Sequence, residues 1–219
     1  MLSRIIYLLS VIRSYIFCFK HLPFSEAKKC PILIHWRVKT FISKTASIKI
    51  KDLSKHSIKI GIWGGSYGIS HGKVTQFSIF DNAQVIFDGE CTINKGCNIV
   101  ARGSAVLNFG KHFFCNSDCK IFCNKAISFG DNTLMGWNIT ILDSDGHQTV
   151  FNGIYQNSNK EIIIHDHCWI GAESTILKGV ELDKNTIIPY GAIIHKSTNG
   201  QHNTVFNNKA LKENIDWIN

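Results

Sequence analysis

The segment whose residue types are best suited to chemistry is Asp143-Ser144-Asp145-Gly146-His147. A histidine titrates near neutral pH and can act as a general base. A nearby carboxylate, from Asp143 or Asp145, can hold the imidazole in one tautomer and orientation. The same residue types also form turns, so the segment alone indicates a surface turn. Its position favours catalysis, because it interrupts an otherwise regular repeat.

That repeat predicts the elements that position His147. Between residues 164 and 194 an aliphatic residue recurs at every sixth position, and a small residue follows each of the first five by four positions. The aliphatic residues are Ile164, Ile170, Ile176, Leu182, Ile188 and Ile194, and the small ones are Cys168, Ser174, Val180, Thr186 and Ala192. Neither the helical period nor the strand period produces this spacing. A solenoid of short strands and tight corners does.

The same spacing extends upstream in sets of three, and each set predicts one three-sided coil. The sets are Phe87, Ile93 and Ile99; Phe109, Cys115 and Ile121; and Phe129, Met135 and Ile141. We therefore predict a mainly β protein with a parallel β-helix over residues 31–197. Residues 1–30 form an N-terminal amphipathic helix and turn, residues 142–161 a catalytic loop insertion, and residues 198–219 a C-terminal loop and short helix, at about residues 209–218.

Composition limits the function classes. The chain has 219 residues and a formal net charge of +8. Its lysines are scattered without an aromatic–basic cluster, which argues against nucleic-acid binding. A basic surface also suits a phosphorylated cofactor or an anionic membrane face.

The eight cysteines are predicted to be structural. Cys91, Cys97, Cys119 and Cys168 fall on small corner positions and Cys115 on an aliphatic one, where cysteine acts as a small apolar residue. Cys115, Cys119 and Cys123 are spaced by four, but a coil would point them in different directions. Reduced, buried thiols favour a cytoplasmic protein.

Histidines leave a metal alternative open. His165 and His167, together with His147, could supply three imidazoles to zinc. However, His165 falls on a position that commonly points outward, and no acidic or cysteine ligand completes the set. We predict that no metal is required.

The N-terminal segment, residues 1–22, is apolar with helical spacing. Arg13 interrupts the apolar run well before the ~20 residues that a membrane span needs, and no cleavage site of a secretory signal follows. An amphipathic helix here either caps the open end of the solenoid, which we prefer, or lies on a membrane surface with its basic residues at the headgroups. In the second case the protein is peripheral at the inner face of the membrane.

Two runs, Cys168-Trp169-Ile170-Gly171-Ala172 and Ile176-Leu177-Lys178-Gly179-Val180, resemble the hexapeptide-repeat acyltransferases. The 143–147 segment resembles members that O-acetylate bacterial surface polysaccharides or their sugar precursors. The resemblance implies a left-handed parallel β-helix, a homotrimer, acetyl-CoA as donor, and active sites in clefts between subunits. The left hand depends on the resemblance alone, since crossovers between parallel strands are normally right-handed.

The resemblance also implies roles for individual residues. His147 matches the catalytic base, which would deprotonate an acceptor hydroxyl as it attacks the thioester. A backbone N–H of Trp169 or Gly171 is a candidate donor to the oxyanion. Asn138 is a candidate for binding the acceptor sugar. The expected cofactor-binding residues are Trp169, Gly171, Ala172, Lys178, Tyr190, Gly191, His195 and Lys196.

Part of the cofactor segment departs from the family pattern. Gly191 and Lys196 match that pattern, and Lys196 can meet a CoA phosphate. Pro189, Tyr190 and His195 differ from it, since Pro189 lacks an N–H and Tyr190 is bulky where the family has a small residue.

Three other functions remain open on the sequence. The same base and donor would serve N-acetylation of an amino sugar or sugar nucleotide. A zinc protein resembling the γ-class carbonic anhydrases is a less favoured alternative, and a non-catalytic scaffold is the third.

Overall fold

The computed structural model describes residues 2–62 and 73–218 of the protein, with side chains from Arg4 onward. The helices are α1 (Leu2–His21) and α2 (Phe24–Ala27). The strands are β1 (Ile32–Ile34), β2 (Lys39–Ile42), β3 (Ser47–Ile50), β4 (Ile58–Ile60), β5 (Gln76–Ile79), β6 (Gln84–Phe87), β7 (Cys91–Ile93), β8 (Asn98–Ala101), β9 (Val106–Phe109), β10 (Phe113–Cys115), β11 (Lys120–Cys123), β12 (Ala126–Phe129), β13 (Leu134–Met135), β14 (Thr140–Leu142), β15 (Thr149–Phe151), β16 (Ile154–Gln156), β17 (Ile162–Ile164), β18 (Trp169–Ile170), β19 (Thr175–Leu177), β20 (Glu181–Leu182), β21 (Ile187–Ile188), β22 (Ile193–Ile194), β23 (Val205–Phe206) and β24 (Ala210–Lys212).

Consecutive strands of the solenoid belong in turn to three sheets, which form its three sides. Sheet A has the order β1-β4-β7-β10-β13-β18-β21-β23-β24, sheet B β2-β5-β8-β11-β14-β19-β22, and sheet C β20-β17-β12-β9-β6-β3. Within these three sheets each strand pairs in parallel with the strand one coil away, except β24, which is antiparallel to β23; β15 and β16 form a separate two-stranded sheet. The predicted parallel β-helix is confirmed.

The interior follows the repeat. Every residue predicted to fill the interior between positions 87 and 194 is at most 1% exposed, and the predicted small corner residues are at most 5% exposed. In sheet C the aligned rings of Phe87, Phe109 and Phe129 stack with centroids 5.2 and 5.6 Å apart. In-register stacking of like side chains makes the core one continuous column.

The corners turn through the left-handed backbone region. Asn132, Asn138, Glu173 and Asn185 all have φ between 53° and 61°. Asparagine tolerates this region better than most residues, which explains why it recurs at the corners.

Helix α1 lies on the free edge of β1, whose other edge pairs with β4. The hydroxyl of Ser14 accepts a hydrogen bond from the N–H of Ile34 at 2.8 Å. The predicted capping helix is therefore present. Within the described residues, no helix has the length and apolar character that crossing a bilayer requires.

The predicted C-terminal helix at about residues 209–218 is wrong. Strand β23 instead extends sheet A beside β21, and β24 folds back onto β23. The N–H of Ile187 donates to Thr204 O at 2.8 Å. The last coil presents unpaired backbone groups, and strands satisfy them more directly than a helix does.

Candidate active site

The insertion leaves the solenoid after β14 and returns at β17. Its two ends are held together by an isolated bridge between Ser144 and Asn159, and the N–H of Asp145 donates to Ser158 O at 3.0 Å. Beyond this root the chain forms the antiparallel hairpin β15–β16. The root is thus fixed to the coil while the hairpin projects from it.

Asp143 anchors the root of the insertion. It is 0% exposed. One carboxylate oxygen accepts from the N–H of Asn124 at 2.8 Å, and the other from the N–H groups of Lys125 and Ala126 at 2.7 and 2.9 Å. Its carboxylate is therefore bound to the backbone of the coil below.

Asp145 pairs with a residue of the next coil. Its carboxylate accepts from the ammonium of Lys178, which also donates to Asn157 O at 2.9 Å. Lys178, expected to contact the cofactor, is engaged with the insertion in this chain.

His147 is exposed, and among the described residues it has no recorded hydrogen bond or ion pair. The expectation that Asp143 or Asp145 orients its imidazole is therefore corrected. Asp143 is committed to three backbone N–H groups and Asp145 to Lys178. The imidazole is left free to meet another molecule.

The expected site residues fall on two corners of the triangular cross-section. One group lies where sheet A turns into sheet B, and we call it the A/B corner: it comprises Asn138, Gly171, Ala172, Tyr190 and Gly191. Trp169 precedes this corner on strand β18 of sheet A, and its ring centroid lies 6.2 Å from that of Trp217. The second lies where sheet B turns into sheet C, the B/C corner: it comprises the insertion with His147, Lys178, His195 and Lys196. Ala172 and Lys178 are six residues apart along one side, or about 20 Å of extended chain.

At the A/B corner the residues stack closely on successive coils. A Cβ on Gly171 would lie 2.6 Å from Ile188 O, so that position requires glycine. The N–H of Gly191 donates to Ala172 O at 2.9 Å, and the amide of Asn138 donates to the carboxylate of Glu173. The side chain of Tyr190 is 69% exposed, so its bulk extends into solvent.

The expected oxyanion donors are not available. The N–H of Trp169 donates to Thr186 O at 2.9 Å, and that of Gly171 donates to Ile188 O at 2.8 Å. Both groups belong to the ladder that joins neighbouring coils, so this assignment is wrong.

His195 and Lys196 are exposed and held at their backbone. The side-chain oxygen of Asn208 accepts from their N–H groups at 2.8 and 3.2 Å, and its amide donates to Ile193 O at 2.8 Å. Asn208 was not predicted, since it lies outside the repeat. Lys196 and Asn208 line a recess of about 480 Å³ that Lys209 also lines.

A second recess, of about 330 Å³, lies beside the root of the insertion. It is lined by Asp81, Arg102, Gly103, Asn124, Ser144, Gly146, Ser158 and Asn159. This recess was not predicted from the sequence either. Arg102 and Asn124 occupy the same B/C corner in earlier coils, so their alignment with the insertion follows only from the register of the stack.

The three-histidine zinc site is not assembled in this chain. The Nε2 of His165 lies 2.9 Å from the Oε1 of Glu181. His167 contacts Asp216 at 3.1 Å and stacks on Trp217 with centroids 4.3 Å apart. These two histidines lie at the corner between sheets C and A, away from His147.

The described residues contain one cluster of potential metal ligands, and it shows that the prediction of different directions is wrong for Cys115 and Cys119. The sulfurs of Cys97, Cys115 and Cys119 lie within 4.8 Å of one another in the interior. The thiols of Cys97 and Cys119 donate hydrogen bonds to the carbonyls of Asn116 and Gly136 at 3.0 and 3.1 Å. The prediction of free, buried cysteines is confirmed for all eight.

Part of this chain is similar in sequence to known transferases. The profile of the bacterial transferase hexapeptide family (six repeats) matches residues 161–196. A Schizosaccharomyces pombe protein provisionally named an acetyltransferase is 32% identical over 94 residues, 41% of this chain and 44% of that protein. The galactoside O-acetyltransferase of Escherichia coli is 30% identical over 93 residues, 41% of this chain and 45% of the enzyme. The chain thus matches less than half the length of these relatives.

Among solved structures, the polySia-specific acetyltransferase NeuO superposes with a TM-score of 0.58 at 18% identity, over 85% of this chain and 78% of that one. At this identity the likeness shows the fold. The predicted left-handed parallel β-helix and the resemblance to the hexapeptide-repeat acyltransferases are both confirmed.

Proposed function

We propose that the protein is an acetyl-CoA-dependent O-acetyltransferase that modifies a sugar hydroxyl of a bacterial surface polysaccharide, or of its precursor, in the cytoplasm. One observation carries the proposal. His147 stands unpaired and exposed on an insertion that leaves a hexapeptide solenoid at its corner. The likeness to acetyltransferases supports the reaction class.

The chemistry needs a base and good positioning. A sugar hydroxyl is too weakly acidic to attack unaided near neutral pH, so the free imidazole nitrogen of His147 takes its proton as the hydroxyl oxygen bonds to the acetyl carbonyl carbon. The carbon–sulfur bond then breaks, and the coenzyme A thiolate receives the proton from the imidazolium. When the site holds the hydroxyl and the thioester in the right geometry, the transfer needs neither a covalent intermediate nor a metal.

We infer that the complete site is shared between two subunits of a homotrimer. In one chain the A/B corner and the B/C corner are separated by sheet B. If the A/B corner of one subunit meets the B/C corner of its neighbour, one cleft collects all the expected residues. A cyclic trimer repeats this contact three times and closes.

The hairpin β15–β16 supports a contact with a second subunit. Its side chains Val150, Phe151, Ile154 and Tyr155 are 56–71% exposed. A two-stranded hairpin is marginal on its own in water, and clustered apolar exposure marks an interaction surface. A neighbouring solenoid would cover these side chains and fix the insertion.

The cofactor is proposed to contact both corners. Ala172 is a small residue at the A/B corner, which leaves room for a narrow pantetheine chain. The recess that Lys196 and Lys209 share suits the phosphates at the other end of the cofactor. Phosphates favour cationic sites of this kind.

The acceptor is proposed to occupy the recess beside the root of the insertion. Arg102, Asn124 and Ser144 offer donors and acceptors at its wall, as a polyhydroxylated or acidic sugar requires. Gly146, also in the wall, precedes His147, so a bound hydroxyl would lie near the base. Asn138 would reach the acceptor from the neighbouring subunit.

The test is release of coenzyme A thiol from acetyl-CoA in the presence of polysaccharide or oligosaccharide acceptors. His147→Gln should lower kcat by ~100-fold or more while acetyl-CoA still raises the melting temperature. His112→Gln is the matched control, because His112 is an exposed corner histidine far along the chain from the insertion. Full turnover in His147→Gln would overturn the assignment of the base.

A paired set of acceptors decides between O- and N-acetylation. Acceptors that differ only by a hydroxyl or an amine at one position should be acetylated at the hydroxyl. Transfer to the amine alone would replace the proposal with an N-acetyltransferase.

A further inference from the structure

The side of α1 that faces the solenoid packs Phe17 and Cys18 into the core and also makes polar contacts. The hydroxyl of Ser10 accepts from the N–H of Trp36 at 3.1 Å, as Ser14 does from Ile34. The guanidinium of Arg13 donates to Trp36 O at 2.7 Å and to Val38 O. These side chains supply the partners that a further strand would have given to the edge of β1.

The opposite side of α1 is apolar and exposed. It carries six large side chains with 43–64% exposure: Ile5, Leu8, Leu9, Ile12, Ile16 and Phe19. At 100° per residue these positions fall within an arc of about 100°. An amphipathic helix in a globular protein normally turns such an arc to the core, whereas here the arc stays exposed.

The fold fixes the direction in which this arc points. Hydrogen bonds within the sheets run along the axis of the stack, and α1 is bonded to the free edge of the first strand of sheet A. Its far side therefore faces outward from the end of the solenoid. We call it the end face.

Cations border the end face. On a helical projection Arg4 lies about 40° beyond one edge of the apolar arc and Lys20 about 20° beyond the other. The first acidic residue of the chain is Glu26, and Lys28 and Lys29 follow it. The charge around the apolar arc is thus of one sign.

We propose that the end face docks the protein on the surface of an anionic lipid bilayer, with α1 lying parallel to the membrane. The apolar arc enters the boundary between headgroups and acyl chains, and Arg4 and Lys20 meet the lipid phosphates. A second copy of the chain is the weaker candidate occupant, because two end faces would bring like charges together. The lipid surface offers the complementary charge.

The proposed trimer strengthens this docking, and this step alone depends on the proposed function. Three solenoids related by a three-fold axis parallel to their own axes present three end faces on one side. Simultaneous contact raises the overall affinity well above that of one helix. The active-site clefts then lie along the sides of the assembly, above the membrane.

Vesicle flotation of the full-length protein tests the proposal without donor or acceptor. The probes are phosphatidylcholine vesicles with and without phosphatidylglycerol. Wild-type protein should float with the anionic vesicles and little with the neutral ones, and its binding to the anionic vesicles should weaken as the salt concentration rises. Leu8→Glu/Ile16→Glu should lower vesicle affinity by ~10-fold or more, with acetyltransferase turnover on a soluble acceptor unchanged.

The matched control is Leu211→Glu, because Leu211 is 50% exposed at the other end of the chain. It should float as wild type does. Absence of wild-type flotation with anionic vesicles would overturn the proposal, as would equal flotation of the double variant. A third outcome is that wild type forms a larger assembly, the double variant does not, and neither binds vesicles. This would identify the end face as a contact between copies and would also overturn the proposal.

Discussion

The ammonium of Lys178 is paired with the carboxylate of Asp145 across the root of the insertion, and it also donates to Asn157 O at 2.9 Å. One side chain from the coil thereby holds both the outgoing and the returning segment. The pair is partly exposed, with 22% and 48% of the two side chains accessible. Its role in positioning the insertion is therefore expected to exceed its contribution to stability.

Replacement of Lys178 by Gln should release the insertion from the coil. We expect kcat to fall by ~10-fold because His147 is less well positioned, with little change in the melting temperature. Faster amide hydrogen exchange in the hairpin β15–β16 would report the loosening directly. A rise in KM for acetyl-CoA with kcat preserved would instead assign Lys178 to the cofactor. Lys184→Gln is the control, since Lys184 pairs with Asp166 at another corner.

The buried carboxylate of Asp143 provides a stability prediction. Asn in its place keeps the shape but offers one acceptor oxygen and an NH₂ group, so at least one of the three backbone N–H groups loses its partner. The free energy of unfolding should fall by about 1–3 kcal/mol, measured by urea denaturation. Asp52→Asn, at an exposed turn where Asp52 bonds Ser54, should unfold as wild type does. An unchanged midpoint for Asp143→Asn would show that the root is held by other contacts.

The buried thiols predict a fall in stability at alkaline pH. Burial raises the pKa of Cys168 from its ordinary 9.0 to about 12. Between these values the unfolded chain loses a thiol proton that the folded chain retains, so stability decreases as pH rises above about 9. Urea midpoints at rising pH should show this decrease, and Cys168→Ala should reduce it. An identical pH dependence in Cys168→Ala would contradict the prediction.

The six-residue repeat could be read from the sequence where an aliphatic residue recurs at every sixth position. In the first coil the six-residue step from Ile34 falls on Thr40, which pairs with Phe77 of the next coil, so an aliphatic residue is missing from the pattern. In the second coil, residues 61–75 separate β4 from β5. A search for aliphatic residues at a fixed six-residue step therefore loses the solenoid before residue 87. The spacing predicts the coil only where each step carries an apolar residue and no insertion intervenes.

The orientation of α1 could not be predicted from periodicity. Helical spacing identifies an apolar face, and burial of that face is the ordinary expectation. Here the unpaired edge of β1 requires hydrogen-bonding partners, and Ser10, Arg13 and Ser14 provide them. A tertiary requirement for polar contacts overrides the local pattern.

The candidate site was predicted in part. The insertion was identified because it breaks the repeat, whereas the partners of Asp143 and Asp145 depend on which corner lies beneath them. The recess that contains Arg102 and Asn124 depends on the alignment of coils that are far apart in sequence. Such contacts are set by the register of the stack and carry no local signal.

The proposed division of the site between two corners predicts complementation between inactive variants. His147→Ala removes the base at the B/C corner. Tyr190→Glu places a carboxylate at an exposed position of the A/B corner, where it should repel the anionic donor and raise KM by ~10-fold or more. Each variant alone should be nearly inactive at low acetyl-CoA concentration.

Co-expression with two different affinity tags, followed by tandem purification, isolates trimers that contain both variants. Suppose that each cleft takes its insertion from one subunit and its A/B corner from the next. A trimer with two subunits of one variant and one of the other then has one intact cleft in three, whichever variant is in excess. Turnover should recover to about one third of wild type. If each chain formed its own complete site, every site would carry one defect and turnover would stay at the level of the parents. The recovered fraction therefore measures directly whether the base and the donor groove belong to different subunits.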